Sequence, residues 1–197
     1  MKKLCIGITG SFCNHPHLPI ILDKLKNNYE ITFVVSDNVQ KTNTRFGTYD
    51  NLVKLLHKYT NNKIITTLAE SELLGPKYKQ DIMLILPCSA SSVNKLEQGI
   101  YDNPVLLAIK ANLRNEIPIV LCIASNDFLG ISGKNLLSLI NRKNIYAVPF
   151  GQDDYINKPN SLVSHFEDIE DTLICALNKK QIQPLLKDYS RRNLNEI

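Results

Sequence analysis

The sequence lacks the cysteine patterns from which disulfide frameworks and structural zinc sites are built. Five cysteines occur among 197 residues, an odd number, and none is part of a Cys-x-x-Cys pair. They are scattered, mostly through apolar runs: Cys5, Cys13, Cys88, Cys122 and Cys175. This pattern argues against both kinds of cross-link and favours small, buried, unlinked side chains.

Long apolar runs and charged blocks are missing as well. No stretch approaches the ~18 apolar residues of a membrane span, and the run at 4–9 is too short for the core of a signal peptide. The net charge of +4 is not concentrated in a basic block, so nothing indicates nucleic-acid binding. With 44% hydrophobic and 21% charged residues, we expect a globular, cytoplasmic protein that binds neither membrane nor nucleic acid.

Short apolar runs alternate with amphipathic stretches along the chain. The predicted strands are 4–9, 30–36, 63–67, 81–87, 117–124 and 144–150, and the predicted helices are 19–28, 48–59, 90–99, 104–114, 133–141 and 161–180. This alternation is typical of a parallel sheet covered by helices on both faces. The sequence therefore predicts one doubly wound, Rossmann-like α/β domain over residues 1–184, followed by a polar tail at 185–197.

Small and hydroxyl-bearing residues follow most of the predicted strands. They are Gly10, Ser11, Ser36, Ser89, Ser91 and Ser92. Ligands of such sheets bind at the carboxyl ends of the strands, where small residues allow close backbone approach and hydroxyls bind phosphate. Each serine alone also suits a turn or a helix cap, but their recurrence at consecutive strand ends predicts a phosphate-bearing cofactor.

Neither glycine-rich nucleotide fingerprint is present. The first loop reads Gly7-x-x-Gly10-Ser11 instead of Gly-x-Gly-x-x-Gly, and no Walker A sequence occurs. Short, separate loops with hydroxyls instead indicate a mononucleotide such as FMN. Cys13, His15 and His17 offer a metal site as the alternative for this first loop. The remaining histidines lie in helical patterns without companions, so we expect no metal.

Two segments carry a family resemblance. Residues 86–105 contain Pro87-Cys88-Ser89-Ala90-Ser91-Ser92, then Asn-Lys, Gly-Ile and Asp-Asn pairs, and residues 7–13 read "GITGSFC". These segments resemble the Pro-Ala-Ser-Ala-Asn-Thr motif and the first phosphate loop of the flavoprotein family, which includes flavin-containing cysteine decarboxylases. Further stretches, in order along nearly the whole chain, are similar to the B subunits of dipicolinate synthase: "TRFG", "LGPK", "PVLLAIKANLRN", "SNDFLG" and "NIYAVPFGQDDYINKPNSLV".

The resemblance implies a flavoprotein-type fold and an oxidoreductase subunit that helps to form pyridine-2,6-dicarboxylate from a lysine-pathway precursor during bacterial sporulation. Either dehydration or oxidation to the aromatic ring is the chemistry expected of it. It also implies bound FMN, a small dicarboxylate substrate, an A subunit as partner and a homo-oligomeric assembly. Two alternatives remain open. One is a non-catalytic partner of the A subunit with a vestigial pocket, and the other is an FMN-dependent enzyme of the decarboxylase or prenyltransferase type.

The resemblance also assigns site residues. The implied cofactor residues are Gly10, Ser11, Ser36, Cys88, Ser89, Ala90 and Ser91. Asn126 falls where the decarboxylases have an asparagine. Independently of the resemblance, a dianionic product calls for cations, and the candidates near the strand ends are Arg45, Lys41 and Lys134. His15 either meets an anionic substrate at the pocket mouth or merely flanks Pro16 at a helix start.

One departure from the family concerns acid–base chemistry. The decarboxylases require a histidine shortly before the strand predicted at 81–87, and residues 64–80 contain none. Histidine is the usual proton carrier near neutral pH. We therefore do not expect cysteine decarboxylation.

Overall fold

A seven-stranded sheet forms the centre of the computed structural model, which describes residues 1–188. Its strands are β1 (Lys2–Ile8), β2 (Tyr29–Val35), β3 (Ile82–Cys88), β4 (Ile119–Ser125), β5 (Ile145–Ala147), β6 (Phe150–Gly151) and β7 (Leu162–Ser164). The strand order is β2-β1-β3-β4-β7-β6, and β5 pairs with the first half of β4. Strands β1 to β5 are parallel, whereas β7 runs antiparallel to both β4 and β6.

Helices cover both faces of this sheet. They are α1 (Leu18–Leu25), α2 (Asp37–Lys41), α3 (Tyr49–Leu56), α4 (Leu68–Glu72), α5 (Ala90–Glu97), α6 (Pro104–Leu113), α7 (Gly133–Ile140) and α8 (Ile169–Leu177). Along β1, Leu4 and Ile6 pack in one core cluster with α1, α3 and α8, while Cys5 packs in a second cluster with α5, α6 and α7. The alternation follows from the two-residue period of a strand. The predicted doubly wound architecture is confirmed.

Three details of the predicted elements are wrong. The strand predicted at 63–67 is reduced to one parallel bridge between Ile65 and Val34. The strand predicted at 144–150 is split into β5 and β6, and the helix predicted at 161–180 begins only at Ile169. Its first residues form β7 instead, because they complete the hydrogen bonding of β4: the Ile123 amide donates to Ser164 Oγ at 2.9 Å. Such long-range pairing overrides local helical periodicity.

The start of the predicted tail is hydrogen-bonded to the sheet. The Phe150 amide donates to the Leu185 carbonyl at 3.0 Å, and the Lys187 amide donates to the Phe150 carbonyl at 3.1 Å. Lys187 Nζ also lies 2.6 Å from Asp168 Oδ2. Of the tail predicted at 185–197, residues 189–197 lie outside the described part of the chain.

A capping box fixes the start of α4. The Glu70 amide donates to Thr67 Oγ1, and Glu70 Oε2 accepts from the amides of Thr67 at 3.2 Å and Thr66 at 3.0 Å. Lys63 Nζ lies 2.5 Å from Glu70 Oε1. The hydrogen bond from Lys63, followed by the one from Thr66, lowers the pKa of Glu70 to about 2. The folded protein therefore holds this carboxylate ionised well below the pH at which it protonates in the unfolded chain.

This depressed pKa predicts a pH-dependent effect of Glu70→Gln. A carboxylate with a lowered folded-state pKa stabilises the protein above its unfolded pKa, and that stabilisation is lost as the pH falls through the folded pKa of about 2. We expect the variant to lose about 1 kcal/mol of unfolding free energy near neutral pH and progressively less between about pH 4.5 and pH 2. Urea unfolding across that range measures the difference. The exposed Glu72 supplies the control variant Glu72→Gln. The expectation would be contradicted if the difference in unfolding free energy between wild type and Glu70→Gln were the same at every pH.

Candidate functional site

The carboxyl ends of β1, β3 and β4 are joined by short hydrogen bonds. Thr9 Oγ1 donates to the Pro87 carbonyl at 2.7 Å and accepts from the Ser89 amide at 3.1 Å. Ser11 Oγ donates to the Ala124 carbonyl at 2.6 Å. Ser11 adopts a left-handed backbone conformation, with φ 64° and ψ 48°, which turns the chain sharply after β1. The first loop is therefore fixed to the ends of β3, the neighbour of β1, and of β4, the next strand in the sheet.

Gly10 lies where the loops after three strands converge. A Cβ atom built on Gly10 would be 3.6 Å from Asn38 Nδ2, in α2 directly after β2, and 3.9 Å from Ser89 Cβ, after β3. Both distances are ordinary van der Waals contacts. The absence of a side chain at Gly10 thus leaves a small space beside its backbone at the meeting point of the three loops.

Ser36 carries a buried hydroxyl that no group within residues 1–188 satisfies. Its carbonyl accepts from the amides of Val39 and Gln40 at 3.0 and 3.1 Å, so the backbone begins α2 in the normal way. Its Oγ, however, is buried and has no hydrogen-bond partner. Leaving a buried hydroxyl unpaired costs about 1–3 kcal/mol. A phosphate oxygen bound at this strand end would accept that hydrogen bond, so Ser36 fits the group that the sequence predicts there.

The turn after β3 supplies a helix start with its own cap. Ser89 Oγ accepts from the Ser92 amide at 3.3 Å and lies 3.0 Å from Ser92 Oγ. Ala90 and Ser91 follow in the first turn of α5, and the Ser91 side chain is exposed. Burial raises the pKa of the Cys88 thiol to about 12. Cys88 is therefore a protonated packing residue next to the turn, with no thiolate to offer.

A cleft of about 630 Å³ opens beside these loops, between the end of β1, the end of β4 and β7. The cleft is lined by two of the site residues predicted from sequence, Ser11 and Asn126. Cys13 and His17 of the first loop also line it. Lys158 and Asp153 reach it from the loop between β6 and β7. Lys158 Nζ lies 4.0 Å from Asp153 Oδ2, and Asp153 Oδ1 is buried with no hydrogen-bond partner among residues 1–188.

Sequence patterns do not single out Lys158, Asp153 or His165, all of which line this cleft. The one signal for Lys158 and Asp153 is the polar stretch after the predicted strand at 144–150, whereas His165 falls inside the helix predicted at 161–180. That stretch reaches the cleft because β7 folds back onto β4, where Ala124 pairs with Val163 and Ser125 with Leu162. The unpredicted strand is thus the reason that these side chains are missed.

Two predicted catalytic candidates lie elsewhere. His15 lines a separate pocket of about 210 Å³, together with Phe46 and Tyr49. Its Nε2 donates to the Thr9 carbonyl at 3.0 Å, and its ring packs on Phe12 at 5.1 Å between centroids. Burial lowers the pKa of His15, and the hydrogen bond to Thr9 opposes this only in part. His15 is therefore a neutral side chain at physiological pH that supports the first loop.

The cations considered for substrate carboxylates are also not at the cleft. Arg45, the second of these candidates, is exposed, and its guanidinium carbon lies 4.9 Å from the centroid of the Phe46 ring. Lys41 ends α2 and Lys134 lies in the first turn of α7, and both are exposed. Among the described residues, the cleft is instead lined by Lys158, His17 and His165.

The metal alternative for the first loop has no geometric support in residues 1–188. No group of three or more His, Cys, Asp or Glu side chains in that part of the chain is placed to hold a metal ion. His15 and His17 line different cavities. The His17 ring instead packs on Phe166, with 5.2 Å between centroids.

Comparisons with known proteins agree with the architecture. Residues 1–175 match the sequence model of the family described as Flavoprotein. The chain is 40% identical over 193 residues to the dipicolinate synthase B subunit of Bacillus subtilis (strain 168), a match that covers 98% of this chain and 96% of that protein. The crystal structure of the dipicolinate synthase B subunit from Bacillus halodurans C matches with a TM-score of 0.86 at 37% identity, covering 95% of this chain and 96% of the other.

More distant structures share the fold alone. A dodecameric FMN-dependent Ubix-like decarboxylase from Escherichia coli O157:H7 matches with a TM-score of 0.60 at 21% identity, over 89% of this chain and 92% of that one. Within residues 1–188, no helix combines the length and the apolar character needed to cross a membrane.

Proposed function

The chain belongs to the flavoprotein family and, within it, to the dipicolinate synthase B subunits; on this premise we propose that it binds FMN and helps to form pyridine-2,6-dicarboxylate. The observation that carries the proposal is the similarity to B subunits along almost the whole chain. The partner in this reaction is the A subunit, the setting is the cytoplasm of a sporulating cell, and the substrate is a small dicarboxylate. Oxidation to the aromatic ring assigns this chain to the oxidoreductases.

The residues around the converging loops hold the cofactor in this proposal. Gly10, Ser11 and Ser36 bind the phosphate, and the unpaired hydroxyl of Ser36 supports this assignment. The turn containing Ser89, Ala90 and Ser91, with Cys88 packed behind it, borders the remainder of the flavin. When bound, the flavin supplies a two-electron acceptor, while the protein provides binding and orientation.

The cleft beside the first loop binds the substrate in this proposal. Asn126 offers an amide that can donate to a carboxylate, and Lys158 offers a positive charge at the same cleft. Arg45 does not line this cleft, so it is not part of this assignment. His15 acts indirectly as a positioning residue, since its hydrogen bond to the Thr9 carbonyl holds the loop that carries Gly10 and Ser11.

The flavin assignment predicts a direct spectroscopic result. Purified protein, either as isolated or after addition of FMN, is expected to show flavin absorbance that stays with the protein through gel filtration, at one FMN per chain. Titration should quench the fluorescence of free FMN as it binds. Ser36→Ala is expected to weaken FMN binding about tenfold, the size of a hydrogen bond to a charged group. A protein that neither carries flavin nor binds added FMN would remove the cofactor from the proposal.

The catalytic assignment is tested with the two subunits. We expect dipicolinate to form at the full rate only when this chain and its A subunit are combined. If the A subunit alone is fully active, this chain is the non-catalytic partner. If the pair is active but the variant Asn126→Ala retains the full rate and the wild-type KM, the assignment of the cleft is wrong.

An oligomeric assembly is the last part of the proposal. Large apolar side chains are exposed at the strand-end side of the molecule on two neighbouring loops: Leu129, Ile131, Tyr155 and Ile156. The Leu129 amide donates to the Asn160 carbonyl at 3.0 Å and joins these loops. Exposed apolar patches commonly mark protein interfaces. Light scattering is expected to give a mass that is a multiple of the 22.3 kDa chain.

A further inference from the structure

A second cleft lies far from the strand-end loops, near the amino ends of β1 and β2. It has a volume of about 710 Å³, within the usual range of small-molecule sites. Lys3 and Glu30 stand at the starts of these two strands, and residues 73–80, between α4 and β3, form the opposite wall. The cleft shares no lining residue with the cleft at Ser11 and Asn126.

Gln80 lines this cleft, and its side chain carries a buried hydrogen-bond acceptor to which no group in residues 1–188 donates. The residue is 6% exposed. Its Nε2 donates to the Tyr78 carbonyl at 3.0 Å, which fixes the orientation of the amide. Its Oε1 is buried and has no hydrogen-bond partner in the described part of the chain. Buried acceptors in native proteins are nearly always paired, so this oxygen indicates a ligand group that carries an N–H or O–H.

Positive charge surrounds the same cleft. Four lysines line it, against two glutamates. Lys63 is paired with Glu70 at 2.5 Å, whereas Lys3, Lys77 and Lys79 form no salt bridge within residues 1–188. The charged side chains at the cleft that lack a salt-bridge partner are therefore mostly positive, which favours the binding of an anion.

The remaining wall is apolar and aromatic. Leu73 and Tyr78 are 39% and 50% exposed, and Pro76 adjoins them in the lining. Lys77 Nζ lies 5.2 Å from the Tyr78 ring centroid, so the aromatic surface and the cationic group are adjacent. A flat ring with an anionic substituent would contact both surfaces at once.

We propose that this cleft is a second ligand site, which takes a nucleotide-sized organic anion with an amino-bearing flat ring. The ring packs against Leu73 and Tyr78, its amino group donates to Gln80 Oε1, and its phosphate binds the lysines. A nucleoside monophosphate has this combination of groups. Because no residue is shared with the proposed FMN site, both sites can be filled in the same chain.

Calorimetric titration with AMP tests the proposal on the full chain saturated with FMN, or on the protein as isolated if FMN does not bind. Saturating FMN keeps AMP out of the phosphate loop at Gly10. We expect AMP to bind wild type at least tenfold more tightly than ribose 5-phosphate, which has the phosphate but no ring. Gln80→Leu should weaken AMP about fivefold and leave ribose 5-phosphate unchanged, because it removes only the acceptor. The double variant Lys77→Met and Lys79→Met should weaken both ligands.

The matched control is the double variant Lys54→Met and Lys58→Met, which removes two exposed lysines of α3 and the turn after it. It should bind AMP as wild type does. The proposal is overturned if AMP does not bind, if ribose 5-phosphate binds equally well, or if the cleft variants behave like the control. None of these outcomes depends on whether dipicolinate is formed, so the result stands apart from the proposed function.

Discussion

Gly10→Ala is expected to abolish most FMN binding and leave the folded protein intact. The new methyl group would lie 3.6 Å from Asn38 Nδ2 and 3.9 Å from Ser89 Cβ, so it meets no steric obstacle in the protein. It would, however, occupy the space beside the backbone where the three loops converge. Because small residues at such loops allow close approach of a phosphate, we expect a loss of FMN affinity of at least about tenfold. The larger Gly10→Val should lose more.

A second glycine supplies the matched control. Gly99 has a φ of +70°, and a Cβ atom there would meet nothing within 4 Å. An alanine at Gly99 is therefore strained by its backbone conformation and costs about 1 kcal/mol of stability. Gly99→Ala should lower the unfolding midpoint and bind FMN normally. Gly10→Ala should keep the wild-type unfolding midpoint and bind FMN more weakly. Equal FMN affinity of Gly10→Ala and wild type would contradict the placement of the cofactor at this loop.

The strand-end residues can be predicted from sequence because of a general property of parallel sheets. The carboxyl ends of neighbouring strands meet at one edge, so residues after β1, β2 and β3 come together whatever the course of the rest of the chain. Gly10, Ser36 and Ser89 follow this rule, and the structure brings all three ends together around Gly10. Local pattern and topology are sufficient for that part of the site.

The charged residues of the cleft cannot be predicted in this way. Lys158 lies in a loop whose position depends on the short antiparallel pairing of β7 with β4, a long-range contact that residues 161–164 do not indicate. The sequence predicts Arg45 near the substrate because it follows a strand end, but its loop turns so that the guanidinium packs on Phe46. Loop side chains are fixed by tertiary contacts, and single-sequence patterns carry little information on these.

The amino-end cleft cannot be seen in the sequence for a related reason. Gln80 is a polar residue just before an apolar strand, which in sequence indicates a solvated strand start. Only the folded chain shows that it is 6% exposed with an unpaired Oε1. Burial of an individual polar residue depends on tertiary packing, which the local pattern of residues before β3 does not encode.

Gly133→Ala is expected to be the most destabilising of these single substitutions. A Cβ atom on Gly133 would approach the Phe128 carbonyl oxygen far inside van der Waals contact, and the obstacle is backbone that no rotamer change can move. The loop has little freedom to retreat, since Phe128 is 1% exposed and the Ser132 hydroxyl donates to Asp127. Asn94 Nδ2 also donates to Ser132 Oγ at 2.8 Å.

We expect Gly133→Ala to lower the free energy of unfolding by about 3 kcal/mol, at the upper end of the cost of overpacking. For a chain of this size that corresponds to a fall in Tm of about 6–12 °C, measurable by calorimetry or circular dichroism. The neighbouring Lys134 is exposed, so Lys134→Ala should stay within about 0.5 kcal/mol of wild type.

The same loop carries Asn126 into the cleft beside Ser11. If Gly133→Ala retains wild-type stability, the loop must yield, and the shift of Asn126 should then raise KM for the dicarboxylate. A variant with unchanged stability and unchanged KM would show that the tight approach of Gly133 to Phe128 is not required for either.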